Sequence, residues 1–187
     1  MDIVLREAAR LNQLVTSFLE FARPAPIRLA PCDLAELIGD TLKVFSNDKQ
    51  AQSLRIERWL ESAVVSCDAD LLRQVLWNLL LNAAQAMEGK AGERVLRVCC
   101  APYPGGGGWL TVEDTGSGVS ESDLPRIFTP FFTTKDRGTG LGLATVHRII
   151  DAHRGTLSVD SAVGRGAVFK VRFLTPVAVV ANPSYNR

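Results

Sequence analysis

From about Asp2 to Ala22 the apolar residues Leu5, Leu11, Leu14, Val15, Phe18 and Phe21 return at steps of three and four, with no Gly or Pro until Pro24. That spacing predicts an amphipathic helix roughly 30 Å long. Its stripe suits one side of a coiled-coil or bundle seam, and equally an ordinary helix packed on its own domain. Pro24, Pro26 and Pro31 then break the pattern, which marks a linker or an edge strand rather than a helix, and a domain boundary. Asp33 is a good N-cap for a helix to about Ala51, and the alternating Leu54, Ile56 and Trp59 followed by Val64 and Val65 predict a hairpin. Asp68 caps a further helix that carries Leu71, Leu72, Val75, Leu76, Leu79 and Leu80 to Met87.

Beyond that helix, Val95 to Ala101 and Trp109 to Glu113 read as strands joined across four consecutive glycines, which favour a surface turn over a ligand loop. A helix over Gly142 to Ala152, stopped by Gly155, and strands at Thr156 to Asp160 and Ala167 to Phe173 complete the pattern. The elements alternate without a repeat. They predict an α+β fold, a two-layer sandwich of a mixed sheet covered by helices on one face, with an N-terminal helical arm.

Composition narrows the function by exclusion. The 187 residues, 47% hydrophobic, suffice for one core of ordinary size with a small appendage. A formal charge of +1 without a basic stripe gives a nucleic-acid partner no electrostatic support. Cys32, Cys67, Cys99 and Cys100 lack the paired spacing of zinc or disulfide frameworks and read as reduced core residues. With no signal peptide and no apolar run of membrane-spanning length, the expected location is cytoplasmic, with a parent protein that is membrane-anchored upstream as an open alternative.

Three groups of residues carry candidate chemistry. Asp114-Thr115-Gly116-Ser117-Gly118 puts a carboxylate where a strand ends, followed by glycines that let the backbone turn away. An ionised Asp only accepts, so it matches the exocyclic amine of adenine and repels the carbonyl oxygen of guanine. Leaving that charge unpaired costs about 1 to 3 kcal/mol, roughly tenfold discrimination in favour of ATP. Gly138-Thr139-Gly140-Leu141-Gly142-Leu143 opens a helix whose free N–H groups suit an oligophosphate, although a purely structural glycine-rich turn fits the same residues. Asn78 and Asn82, four apart, share a face of an otherwise apolar helix. An amide oxygen there is a hard neutral ligand able to complete a Mg²⁺ shell, or a partner for nearby backbone.

In this order the three groups resemble the ATP-binding catalytic domain of sensor histidine kinases, in the superfamily shared with DNA gyrase B, Hsp90 and MutL, with its Bergerat-type fold. The resemblance spans about Pro31 to Pro176: Asn78 to Asn82 as the N box, Asp114 to Gly118 and Gly138 to Gly142 as the glycine boxes, and Ile127 to Lys135 as the phenylalanine box leading into the ATP lid. Leu11 to Pro24 resembles the second helix of the dimerisation and phosphotransfer hairpin of nitrogen-regulator-type kinases. The implied organisation is a partial hairpin at 1–23, a linker at 24–32, the catalytic domain at 33–176 and a tail at 177–187.

The resemblance implies that Asp114 holds adenine, Asn82 binds Mg²⁺ and Asn78 supports the metal or phosphates. Lys135, with Arg137, would reach the terminal phosphates, so Asn78 and Lys135 are the expected catalytic residues. Gly116, Gly118, Gly138, Thr139, Gly140, Leu141, Gly142 and Leu143 would line the nucleotide, and Phe131 and Phe132 would pack the lid, although two consecutive aromatics more often place one ring inward and one outward. Hydrolytic relatives carry a water-activating glutamate where this chain has Asn78, and an amide accepts no proton usefully near neutral pH. Slow hydrolysis follows, with the phosphoryl group kept for another acceptor. Gln85 is also an expected nucleotide-binding residue, but two positions depart from the family: Gln85 stands where many sensor kinases have a basic residue, which puts one phosphate contact in doubt, and Gly164-Arg165-Gly166-Ala167 has Ala for the usual Thr, which weakens a water-mediated adenine contact.

His147 and His153 are the only histidines, and both fall after the second glycine box, where structural or capping roles suit them. The family's phosphoacceptor sits on the first hairpin helix, expected before Met1. The implied partners are that hairpin, a response-regulator receiver domain and a second copy of the chain through the N-terminal helix. Alternatives are a degenerate ATP-sensing or dimerising module, a serine kinase of the anti-sigma-factor type, and an ATPase, which Asn78 argues against.

Overall fold

A computed structural model describes residues 15, 26–135 and 138–174. Most of the expected arm, the tail at 177–187 and the lid cation Arg137 lie outside the described residues. Among the described residues from 26 onward the regular elements are, in order, β1 (Ala30–Asp33), α1 (Leu34–Phe45), β2 (Arg55–Leu60), β3 (Val64–Cys67), α2 (Ala69–Ala86), β4 (Val95–Pro102), β5 (Gly108–Asp114), a 3₁₀ turn (Leu124–Arg126), α3 (Gly142–Ala152), β6 (Thr156–Ala162) and β7 (Gly166–Phe173).

The five-stranded sheet runs β2-β4-β5-β7-β6, with β2 and β4 parallel and every other pair antiparallel. Alternation decides which face is covered. Leu96, Val98 and Cys100 of β4, Leu110 and Val112 of β5, and Phe169 and Val171 of β7 are buried against Ile38, Leu72, Leu76, Leu79, Leu80, Val146 and Ile150 of the three helices. Between α1 and α2 the rings of Phe45 and Trp77 meet edge to face with centroids 5.6 Å apart. On the opposite face Arg97 donates to Glu57 and to Glu113, each at 2.7 Å, and Trp59 stands exposed. The two-layer α+β reading is therefore the fold observed.

Two local expectations change. The predicted hairpin does not form: β2 pairs in parallel with β4, whereas β3 pairs antiparallel with β1 in a separate two-stranded sheet. Asp33 explains the divergence. Besides capping α1 through Ala35 N–H at 2.8 Å, its carboxylate accepts from Ser62 Oγ at 2.6 Å and Ala63 N–H at 3.2 Å, holding the connector against the start of α1 and steering β3 away from β2. Helix α1 also ends at Phe45 rather than near Ala51, because the Ser46 hydroxyl and the Asn47 amide both turn back to the Lys43 carbonyl, at 2.9 and 3.0 Å.

Asp68 caps α2 through the N–H groups of Asp70 and Leu71 and also accepts from Arg28 N–H at 2.9 Å. Cys67 and Cys100 are buried, and burial pushes their thiols up to about 12 and about 11, which leaves them inert core residues as expected.

Candidate functional site

The candidate cleft is where the C-terminal half of α2 meets the turn after β5, through Ser117 N–H to Ala86 O, and the start of α3, through Asn78 beside Gly142. Asp114 closes β5 with only 4% of its surface exposed, and its Oδ1 accepts from Gly116 N–H at 2.7 Å. Burial pushes the carboxyl above its ordinary value. The Gly116 and Ala167 N–H groups and the charges of Lys135 and Lys90 pull it back toward ionisation. Lys135 shows the mirror image: burial lowers its ammonium and Asp114 raises it. Each is the other's counter-charge.

The turn that carries Asp114 is bolted down on three sides. Thr115 exchanges hydrogen bonds with Val95, Ser117 N–H reaches Ala86 O at 2.9 Å, and the Lys90 ammonium donates to the carbonyls of Thr115 and Gly116. Gly116 is required for this closeness, since a Cβ there would lie 2.7 Å from the backbone of Ala86. Its glycine makes room for the protein's own α2 rather than for a ligand. Lys90 went unnoticed in the sequence, because it lies 25 residues from its partner in a segment with no motif.

The two asparagines of α2 do different work. Asn78 spends its Nδ2 on Gln74 O at 3.0 Å, and its Oδ1 faces Gly142, 3.3 Å from where a Cβ on that residue would sit. One turn on, Asn82 Oδ1 accepts from Lys135 Nζ at 2.8 Å, and Gln85 Oε1 accepts from the same ammonium at 3.0 Å. The amide oxygen of Asn82 thus accepts from a cation, and a hard neutral oxygen of this kind is chemically compatible with Mg²⁺.

Thr139 Oγ1 accepts from Leu141 N–H at 3.3 Å, and Phe131 N–H reaches Gly140 O at 3.0 Å. Leu141 is buried, while Gly138, Thr139, Gly140, Gly142, Leu143 and Gly118 are half-buried around the opening. Asp33 and Asp68 cap α1 and α2, but α3 begins at Gly142 with no side-chain cap. Among the described residues its first-turn N–H groups meet no side-chain cap, and with the positive end of its dipole they suit an anion. Phe131 is 59% exposed with φ of 66°, whereas the Phe132 ring packs on the core with the Arg126 guanidinium 4.4 Å away. One ring faces out and one in, as consecutive aromatics predict.

Neither histidine lines this cleft. His153, at the end of α3, donates through Nδ1 to Ile149 O at 2.7 Å and accepts Asp68 N–H on Nε2 at 2.9 Å, so both ring nitrogens are spent on structure. His147 lies beside Asp151 at 3.2 Å and against the Phe128 ring.

An α+β sandwich that buries an acid at a strand end beside a helix start with no side-chain cap among the described residues has the make-up of a nucleotide-binding catalytic domain. Residues 67–177 match the family model of histidine kinase-, DNA gyrase B- and HSP90-like ATPases, and the chain belongs to that family as a catalytic domain of the sensor histidine kinase type. It is 38% identical over 170 residues to the sensor histidine kinase ZraS of Escherichia coli K12, covering 90% of this chain and 36% of that protein. It is 35% identical over 171 residues to the signal transduction histidine-protein kinase AtoS of the same strain, covering 90% of this chain and 28% of that protein. The chain therefore spans about a third of the length of these curated relatives. Among solved structures, full-length ShkA in complex with AMPPNP aligns with a TM-score of 0.78 at 30% identity, over 93% of this chain and 38% of that one. The nucleotide-free catalytic domain of the histidine kinase ThkA aligns with a TM-score of 0.69 at 28% identity, over 79% and 96%. Among the described residues no helix is long and apolar enough to cross a membrane.

Proposed function

We propose that the chain binds ATP with Mg²⁺ in this cleft and passes the γ-phosphoryl group to a histidine other than its own two, for relay to a response-regulator receiver domain. The observation that carries the reading is the convergence of Asp114, the Asn82 amide oxygen and the Lys135 ammonium near an uncapped helix start. Asp114 accepts the adenine amine, and the free N–H groups of α3 with Thr139 and the glycines of its approach receive phosphate oxygens. Asn82 holds Mg²⁺, which when bound neutralises phosphate charge. Lys135 pairs with the terminal phosphate, and Asn78 orients the start of α3 without offering a base to water. ShkA with AMPPNP supports nucleotide occupancy of such a cleft, and the names of ZraS and AtoS support the two-component context.

The acceptor is then a phosphotransfer hairpin outside the described residues, and the apolar stripe from Leu11 to Phe21 is its second helix, through which two copies pair. Titration calorimetry is expected to show ATP binding that strengthens with Mg²⁺. Incubation with γ-labelled ATP is expected to leave the chain unlabelled until a histidine-bearing hairpin is added. Absence of ATP binding would overturn the reading in favour of a docking module, and acid-labile label on His147 or His153 would overturn the external acceptor.

A further inference from the structure

The side chain of Lys135 is half-buried rather than extended into solvent. Its ammonium crosses to α2 and donates to two neutral amide oxygens, Asn82 Oδ1 at 2.8 Å and Gln85 Oε1 at 3.0 Å, within the field of Asp114. One of those oxygens is the metal ligand of the reading above. An amide oxygen cannot serve an ammonium and a divalent cation together, because the two like charges would stand within a few ångströms of each other in a partly desolvated cleft. Gln85 lies one turn beyond on an exposed position of α2, and among the described residues its side chain bonds Lys135. It meets the lysine and not the uncapped end of α3.

We propose that Gln85 is a positioning residue that, with Asn82, holds Lys135 on the amide oxygen that Mg²⁺ would take, so that Mg·ATP binds by exchange of one cation for another. The ammonium leaves the amide oxygens as the metal arrives and becomes free to meet the phosphates. Chemistry supports the choice of side chain. A neutral amide holds an ammonium firmly enough to order it and weakly enough to release it, a carboxylate would hold it longer, and a basic residue would repel it. The departure at this position therefore acquires a role: a phosphate contact is replaced by control of the lysine.

The binding half of this proposal rests on the ATP reading, but its ordering half is measurable without nucleotide. Hydrogen exchange reads the Lys135 amide, bonded to Thr133 Oγ1 at 3.1 Å, and the Gly138 amide, bonded to Lys135 O at 3.1 Å. In Gln85→Leu both are expected to exchange about tenfold faster, as for loss of one charge-assisted hydrogen bond. Lys135→Met is expected to do the same, and the double variant to be no faster than Lys135→Met alone. Gln85→Glu is expected to slow both amides and to weaken Mg·ATP binding in calorimetry, whereas Gln85→Leu leaves that affinity equal or tighter. A merely structural glutamine would not move the two variants in opposite directions. Unchanged exchange in Gln85→Leu, additive effects in the double variant, or weaker Mg·ATP binding by Gln85→Leu would each overturn the proposal. Failure of the wild-type chain to bind ATP would overturn the ATP reading instead, leaving the exchange result to stand or fall by itself.

Discussion

Asp114 is a group kept at a cost to the fold. Burial raises its carboxyl, so by linkage its contribution to stability is fully present below the unfolded value and lost as pH rises through the folded one. Asp114→Asn removes the buried charge and should leave the nucleotide-free melting temperature equal or higher, while lowering ATP affinity at least about tenfold by calorimetry. Asp33 and Asp68 work the other way. Ser62 and Ala35 lower the first carboxyl, and Arg28 N–H leads the groups that lower the second. Their stabilisation is present above the ordinary carboxylate value and disappears as pH falls through the depressed folded values. Melts between pH 7 and pH 3 should show the loss in the wild type below about pH 4, and a smaller loss in Asp33→Asn/Asp68→Asn. Both caps could be read from the sequence, because each is an Asp immediately before a periodic apolar run. The Lys90 and His153 contacts could not, since each joins residues from distant segments and neither leaves a local pattern.

Helices were more legible than strand partners, and the reason is physical. A helix satisfies its backbone within itself, so spacing and caps define α2 and α3 almost to the residue. A strand needs a neighbour, and alternation in Leu54 to Val65 says nothing about whether β2 meets β3 or β4. The glycine boxes were legible as motifs but not as mechanics, for at Gly116 the neighbour being accommodated is α2 itself. The turn between β6 and β7 offers a test. Gly164 and Gly166 both have positive φ, 78° and 84°, but a Cβ on Gly164 meets open space while one on Gly166 would lie 1.9 Å from Asp114 O. Gly164→Ala should cost about 1 kcal/mol of strain alone. Gly166→Ala should cost well over about 2 kcal/mol and weaken ATP binding by displacing the Asp114 backbone, both measurable by urea unfolding and calorimetry.

At the scale of the molecule, the sheet divides a dry layer from a wet one. Helices cover one face, and the other carries the row Glu57, Arg97 and Glu113 across three strands. The cleft lies on the helical side, so occupancy reports on the packed layer. Mg·ATP at about 100 times its dissociation constant should stabilise the domain by about 2.7 kcal/mol. A thermal-shift series should therefore show a clear rise with Mg·ATP and little with Mg·GTP, and equal shifts for both would exclude Asp114 as the base-reading group. The bond from Asp68 N–H to His153 gives this layer a direction. It fastens the far end of α3 to the start of α2, while the near end, Gly142, has no cap of its own. An 11-residue helix is about 16 Å long, so a tilt of about 10° about the fastened end carries the other through roughly 3 Å. The domain thus fixes one end of α3 through a histidine and, in the function proposed above, presents the other to the phosphates.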